Sequence, residues 1–377
     1  MNCYVPAESA PAEPRAALTP ATAQILVKLG ITVQAAPGLG RASHYSDEDY
    51  IKAGVILVSD HAAALASADL VLRVRKPPVA DVARMQRGAL HLSFLDPFNE
   101  KELLAAFAAA GVSAVSLEMI PRTTQAQKMD ALSSQASLAG YSAVIEAAQR
   151  LRMALPMMMT PAGTIISARV FIIGAGVAGL QAIATAKRLG AKVSAYDVRP
   201  ASADEVKSMG ATFVTLDLEA LEGSGGYARE MTEDRADRQR DLLAPFVAAA
   251  DVLITTAAVP GRQAPLLVTR AMVEGMKPGS VVVDLASETG GNVEGSMPGE
   301  EIKFGEVLVW GAKDVASEMA VHASQLYSMN IMALLTLTVN EGAVVVDPED
   351  EVLAGCAVVI DGVVRNQAAL DALGGGS

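Results

Sequence analysis

The sequence predicts an α/β protein of two domains with parallel sheets, linked by long helices and leaving a cleft between them. Three observations predict it. Strand-like and helix-like stretches alternate along most of the 377 residues, and βα repetition builds parallel sheets covered by helices. Hydrophobic residues make up 51% of the chain but aromatics only 4%, a balance of alanine, valine and leucine that suits helices packed on buried parallel strands. Long helical patterns near 130–155 and 320–338 then separate one βα series from another.

The first series occupies residues 20–120. "ATAQILVKLG" has helical spacing and a glycine stop, and "ITVQAA" follows as a strand. "YSDEDYIKAG" with "VILV", and "DHAAALASA" with "DLVLRVR", repeat the alternation. "ALHLSFL", "NEKELLAAFAAAG" and "VSAVSLE" complete it. "ALSSQASLAGYSAVIEAAQRLRM" reads as one long helix stopped by Pro156. "PMMMTPAGTI" reads as a connection whose methionines fill core or rim gaps.

The second series runs through "RVFIIG", "KVSAYD", "TFVTL", "DVLITTA", "SVVVDLA" and "VLVWGA". The charged, glycine-bearing segment 219–240 breaks the rhythm and reads as a long loop, of the functional or disordered kind. After the helix near 320–338 come short strands, "AVVV" and "AVVIDGVV". The expected division is a first α/β domain of residues 1–130 plus 325–377, completed by the C-terminal segment, and a second of residues 131–324.

Composition excludes several classes. A net charge of −12 opposes broad affinity for nucleic acid or anionic lipid. No window reaches the ~18–20 uncharged apolar residues of a membrane span, and no signal peptide is visible. Cys3 and Cys356 stand at opposite ends and match no metal-ligand spacing, so a reducing compartment, no disulfide and no metal site are expected.

"ARVFIIGAGVAGLQAIATAKRLGAKVSAYDVRP" carries the most specific signal. Gly174, Gly176 and Gly179 form G-x-G-x-x-G between a strand and a helix. The first glycine permits the turn, the second lets a pyrophosphate approach, and the third lets helix and strand pack closely. The helix N-terminus favours the phosphate charge. Asp197 ends the next strand, about 20 residues on, where a carboxylate meets the adenosine ribose and repels a 2′-phosphate. The unit therefore predicts a Rossmann-like, dinucleotide-binding domain that favours NAD over NADP. Arg199 pulls the other way, since an arginine there can accept a 2′-phosphate. The loops "ITTAAVPG" and "DLASETGGN" follow strands of the same sheet and are expected to reach the nicotinamide end.

"EMIPRTTQAQKMDALSSQASLAGY" holds a second polar cluster. Arg122, Gln127, Asp130 and Ser133 lie near a helix start. The last three are spaced in threes, so they are expected to share one helix face. Such a set could bind a carboxamide and a ribose, or could simply cap a solvated helix.

With these stretches in hand, the sequence closely resembles the NAD(H)-binding component of the proton-translocating nicotinamide nucleotide transhydrogenases, in a superfamily shared with alanine dehydrogenase. The resemblance spans nearly the whole chain. It rests on "PRTTQAQKMDALSSQASLAGY", "GAGVAGLQAIATAKRLGA", "DVRP", "EVKSMGA", "GGYAREM", "TTAAVPGRQAPLLVT" and "MKPGSVVVDLASETGGN".

The resemblance implies that Arg122, Gln127, Asp130 and Ser133 face the nicotinamide. It implies nucleotide contacts from Thr123, Thr124, Gln125, Val177, Val198, Arg199, Gly226, Gln239 and Ala258, with Tyr227 on a loop that closes over the nucleotide. It also implies Si/Re-specific hydride transfer from NADH to NADP⁺ held on an NADP(H)-binding partner domain. Proton translocation would occur through a separate membrane-spanning subunit. The chain would be a homodimer, cytoplasmic and attached to the inner membrane only through those partners.

Alanine dehydrogenase is the rival. That reaction moves protons and needs a group poised near neutral pH. Where that family carries its histidine, this chain has Asp96, and His91 lies an odd number of residues earlier, on the opposite strand face. The family's substrate-binding lysine falls at Arg75. The chain also departs from its better match, with "VPAE" at residues 5–8 and Ala258 in place of the usual leucine.

Overall fold

The structure, a computed structural model, describes all residues except 11–12, 219–232, 259–260, 366, 368–369 and 371–377. The chain divides into two compact units, Met1–Gln135 with Ser317–Ser377, and Ala136–Ala316.

In the first unit the chain runs through β1 (Asn2–Val5), α1 (Pro20–Lys28), β2 (Thr32–Ala35), α2 (Asp47–Lys52), β3 (Ile56–Leu57), α3 (His61–Ser67) and β4 (Leu70–Leu72). It continues through α4 (Val79–Val82), β5 (Leu90–Ser93), α5 (Lys101–Ala110), β6 (Ser113–Ser116) and the start of α6 (Ala131–Arg150). In the second unit follow β7 (Met158–Thr160), β8 (Gly163–Ile165), β9 (Arg169–Ile173), α7 (Val177–Arg188), β10 (Lys192–Tyr196), α8 (Ser202–Ser208) and β11 (Thr212–Phe213). Then come α9 (Glu233–Ala249), β12 (Val252–Thr255), α10 (Arg270–Glu274), β13 (Val281–Asp284), β14 (Glu301–Phe304) and β15 (Val307–Gly311). The chain returns by α11 (Val315–Glu318) and α12 (Ala320–Thr338). It ends with β16 (Val339–Asn340), β17 (Ala343–Val344), α13 (Glu351–Cys356), β18 (Ala357–Ile360) and β19 (Val363–Val364).

Both large sheets are doubly wound. The first has the order β19-β18-β6-β5-β4-β1-β2-β3, and the second β11-β10-β9-β12-β13-β15-β14. Direction reverses at β1/β4 in one and at β9/β12 in the other. In such sheets ligands bind beyond the carboxyl ends of the strands at that reversal. The sheets are parallel except at one edge each, where β18, β19 and β14 run antiparallel to their neighbours. "AVVV" does not join the large sheet: β17 pairs with β16 in a two-stranded ribbon.

Strand alternation explains the cores. In the first unit Cys3, Val5, Leu70, Leu72, Leu90 and Leu92 pack on one face of the sheet, and Tyr4, Val71 and Ala114 pack on the other. In the second unit Val170, Ile172, Val252, Ile254, Val281 and Val283 oppose Phe171, Ile173, Leu253 and Val282 in the same manner. Successive side chains point to opposite faces. With both faces covered, the strands read as unbroken hydrophobic runs.

Local signals set the helix starts. Thr19 and Ser46 cap α1 and α2 by accepting from the backbone N–H groups of Thr22 and Asp49, and Pro20 occupies the first turn of α1.

Three expectations need correction. The "PMMMTPAGTI" connection is a β-hairpin, β7 with β8, and its methionines are exposed: Met157 is 60% and Met159 79% accessible. Residues 233–240, expected in a loop, open α9. Their charges sit at helical spacing and bond along the helix, as Arg240 does to Asp237. Gln127, Asp130 and Ser133 do not share a helix face, because α6 begins only at Ala131 and 123–129 form turns.

Candidate functional site

The glycine turn follows β9, which lies beside β12 at the reversal point of the second sheet. Gly174 has φ +99°, and a Cβ there would lie 2.5 Å from Thr256 Oγ1. A Cβ on Gly179 would lie 1.9 Å from the Gly174 carbonyl oxygen. A Cβ on Gly176 would meet no protein atom within 4 Å. Two glycines are thus required by packing, while the third leaves the backbone bare ahead of α7. Gly176 is the N-cap of α7 and Val177, 38% exposed, its first residue; no side chain caps the helix. A helix start with bare N–H groups and its positive dipole end favours a phosphate, so these residues fit a dinucleotide pyrophosphate.

Asp197 is buried and accepts four hydrogen bonds. Ala175 N donates at 2.7 Å, Arg199 N at 2.8 Å, and Arg199 Nε and Nη2 at 2.9 Å each. The carboxylate therefore ties the glycine turn to the end of β10, and it holds the Arg199 fork in a bidentate pair. Val198 lies between them, half-buried. Gln239 on α9 is buried, and its Nε2 donates to the Tyr196 hydroxyl at 2.8 Å. Ala258 is exposed after β12. Gly226 and Tyr227 lie outside the described residues.

Sequence reading missed the residues that brace this turn. Thr256 Oγ1 donates to the Gly174 carbonyl at 3.1 Å. Asn292, fully buried, accepts from Ala257 N at 2.9 Å and donates to the Ala257 carbonyl at 2.8 Å. Asp284, also fully buried, accepts from Asn292 N at 3.0 Å. The loops "ITTAAVPG" and "DLASETGGN" contain all three; only spacing-independent packing marks them out.

In the first unit the polar cluster is built on turns. Ala126 and Met129 are buried in the core, which leaves Arg122, Thr123, Thr124, Gln125 and Gln127 exposed around them. Asp130 precedes α6 and caps it: its carboxylate accepts from Ser133 N at 2.9 Å and Ser133 Oγ at 2.6 Å. Asp130 therefore caps the helix and pairs with Ser133. Asn330 on α12, also missed, donates to the Lys128 carbonyl at 2.9 Å and accepts from Ser134 Oγ at 2.7 Å.

The groups a dehydrogenase would need are otherwise engaged. His91 lies within β5, fully buried, with Nε2 2.9 Å from Ser93 Oγ. Burial, reinforced by the Arg73 charge, holds it well below its ordinary value. Arg15 and Arg75 both bind the Glu13 carboxylate at 2.7 Å. Burial alone would raise the Glu13 carboxyl, but the two guanidiniums outweigh it and hold it at about 2.

Residues 4–139 match "Alanine dehydrogenase/PNT, N-terminal domain" and residues 143–367 match "Alanine dehydrogenase/PNT, C-terminal domain".

The chain belongs to the alanine dehydrogenase/PNT family.

Within the family it is 41% identical to an NAD(P) transhydrogenase subunit alpha polypeptide of Rhodospirillum rubrum, over 98% of each chain. Its fold is similar to the crystal structure of a transhydrogenase from Sinorhizobium meliloti, with a TM-score of 0.87 and 43% identity over 97% of this chain and 100% of that one. Similarity to the alanine dehydrogenase of Halomonas elongata is lower, 33% over 79% of this chain and 76% of that one. Family membership and the glycine turn together imply NAD(H) binding. Among the described residues no helix is long and apolar enough to cross a membrane.

Proposed function

We propose that the chain is the NAD(H)-binding component of a proton-translocating, Si/Re-specific transhydrogenase. It would present NADH to NADP⁺ held on a separate partner domain, with proton movement in a membrane-spanning subunit. The observation that carries this reading is the end-to-end likeness to a transhydrogenase alpha-subunit polypeptide, at 41% identity over 98% of each chain.

The chemistry agrees. Bound NADH supplies the hydride. Transfer between two nicotinamides moves no proton on either ring, so the protein must orient them and exclude water. The side chains here suit orientation. Gly176 and the start of α7 hold the pyrophosphate, and Asp197, which holds the Arg199 guanidinium in its own ion pair, defines the adenosine end and selects NAD(H). Arg122, Gln127, Asp130 and Ser133 set the nicotinamide, with Thr123, Thr124, Gln125, Val177, Val198, Gln239 and Ala258 as further contacts. Tyr227, beside Gly226, closes over the nucleotide. The alanine dehydrogenase reading is weaker, because His91 is sealed in β5 and the Glu13 carboxylate holds Arg15 and Arg75.

The component would act as a homodimer, attached to the inner membrane through its partners. The exposed, uncharged β7–β8 hairpin supports a dimer.

Mixing the chain with an NADP(H)-binding partner domain tests the reading. Hydride should pass between bound nucleotides only when both proteins are present; reduction of NAD⁺ by L-alanine with this chain alone would overturn it. Asp130→Asn should slow hydride transfer at least about tenfold while NADH dissociation changes less. Asparagine still caps the helix, so the fold is kept. Equal losses in rate and affinity would reduce Asp130 to a cofactor anchor.

A further inference from the structure

We propose that Asn292 is a positioning residue for the nucleotide: one buried amide ties Ala257, just after β12, to Pro265 and holds the backbone at those two residues where NAD(H) is received. This rests on the function proposed above.

The geometry is specific. Asn292 Oδ1 accepts from Ala257 N at 2.9 Å. Its Nδ2 donates to the Ala257 carbonyl at 2.8 Å and to the Pro265 carbonyl at 2.9 Å. The N–H on one side and two carbonyls on the other dictate which way the amide faces. The residue is anchored from behind: its N donates to Asp284 Oδ2 at 3.0 Å, and its carbonyl accepts from Leu267 N at 2.9 Å and Val268 N at 3.0 Å. Asp284 Oδ2 also accepts from Val293 N and Ser296 Oγ. Neither Asn292 nor Asp284 is accessible to solvent.

The tie reaches the glycine turn in one residue. Thr256, next to Ala257, donates its N–H to the Ile173 carbonyl at 2.9 Å and its Oγ1 to the Gly174 carbonyl at 3.1 Å. Asp284, Asn292, Ala257, Thr256 and Gly174 thus form a hydrogen-bonded series. It runs from the end of β13 to the turn ahead of α7, across the sheet's reversal point. A site held in its receiving shape binds more tightly, because the ligand need not select it from other conformations.

Asn292→Ser cannot span Ala257 and Pro265. Two readouts follow. Trypsin cleavage after Arg262, which lies between the tied ends and is exposed, should accelerate at least about tenfold as the segment opens. The NADH dissociation constant should rise by about tenfold. Val282→Ala, in the sheet core, serves as control: it should lower the melting temperature without changing either readout.

Unchanged cleavage would overturn the tie. Faster cleavage with unchanged NADH affinity would overturn the positioning role, as would equal effects in Val282→Ala. Should the serine variant not fold, hydrogen exchange on the native protein decides. The Ala257 amide should exchange slowly and slow further with NADH; exchange at the rate of an open chain sinks the proposal. If the native protein binds no NADH, the proposed function fails, while cleavage and exchange still report on the tie.

Discussion

At the scale of the residue, His91 makes a pH prediction with a definite sign. Burial and the Arg73 charge hold its imidazole well below its ordinary value, so the folded protein keeps it neutral. The unfolded chain takes up a proton near pH 6.5. Stability is therefore fully present above about pH 6.5 and falls as pH drops below it, by about 1.4 kcal/mol per pH unit for one proton. Denaturant unfolding of native protein and His91→Gln between about pH 7.5 and 5 checks this. The gap between the two should close as pH falls; a gap independent of pH would mean that His91 is not held neutral. Residues of the glycine turn show how far single positions were legible. Gly174 and Gly179 followed from their motif. Asp197 did too, but not its four donors, which depend on where Ala175 and Arg199 are carried by the fold.

At the scale of the element, α6 and α7 meet through a glycine the motif does not include. A Cβ on Gly140 would lie 2.1 Å from the Ala178 carbonyl oxygen. The third turn of α6 thus presses on the first turn of α7, whose free N–H groups the pyrophosphate needs. Gly140→Ala must push α7 aside. Alanine is otherwise the better helix former, by about 1 kcal/mol. Propensity therefore predicts a more stable protein and packing a less stable one. The clash involves backbone, so packing wins: both the melting temperature and NADH affinity should fall. A higher melting temperature with unchanged affinity would show that the two helices separate at no cost. Periodicity could not decide the elements that were misread. In 233–240 charge masked the helical spacing. In 156–165 the apolar run lacked strand alternation, since no core lies against either strand of that hairpin.

At the scale of the whole molecule, the β7–β8 hairpin makes an assembly prediction. Met158 is 46% and Met159 79% accessible, and Ile165 and Ile166 are 46% and 72% accessible. A lone two-stranded hairpin is marginal in water, and an uncharged exposed patch marks an interaction site. If this patch joins two copies, Met159→Asp should convert a dimer to a monomer in sedimentation or light scattering, with the glycine turn unaffected. A dimer that survives would assign the contact elsewhere. By itself, the sequence determined the α/β class, the two βα series, and the glycine turn with its acid. Each is written in local spacing: period two, period three to four, and glycines where a Cβ will not fit. Only the tertiary structure decided which strands adjoin and where each sheet reverses. It likewise decided that Asn292, Thr256 and Asn330 hold the candidate loops. Their partners are far away in the chain, and a hydrogen bond between distant residues leaves no periodic trace in either one's neighbourhood.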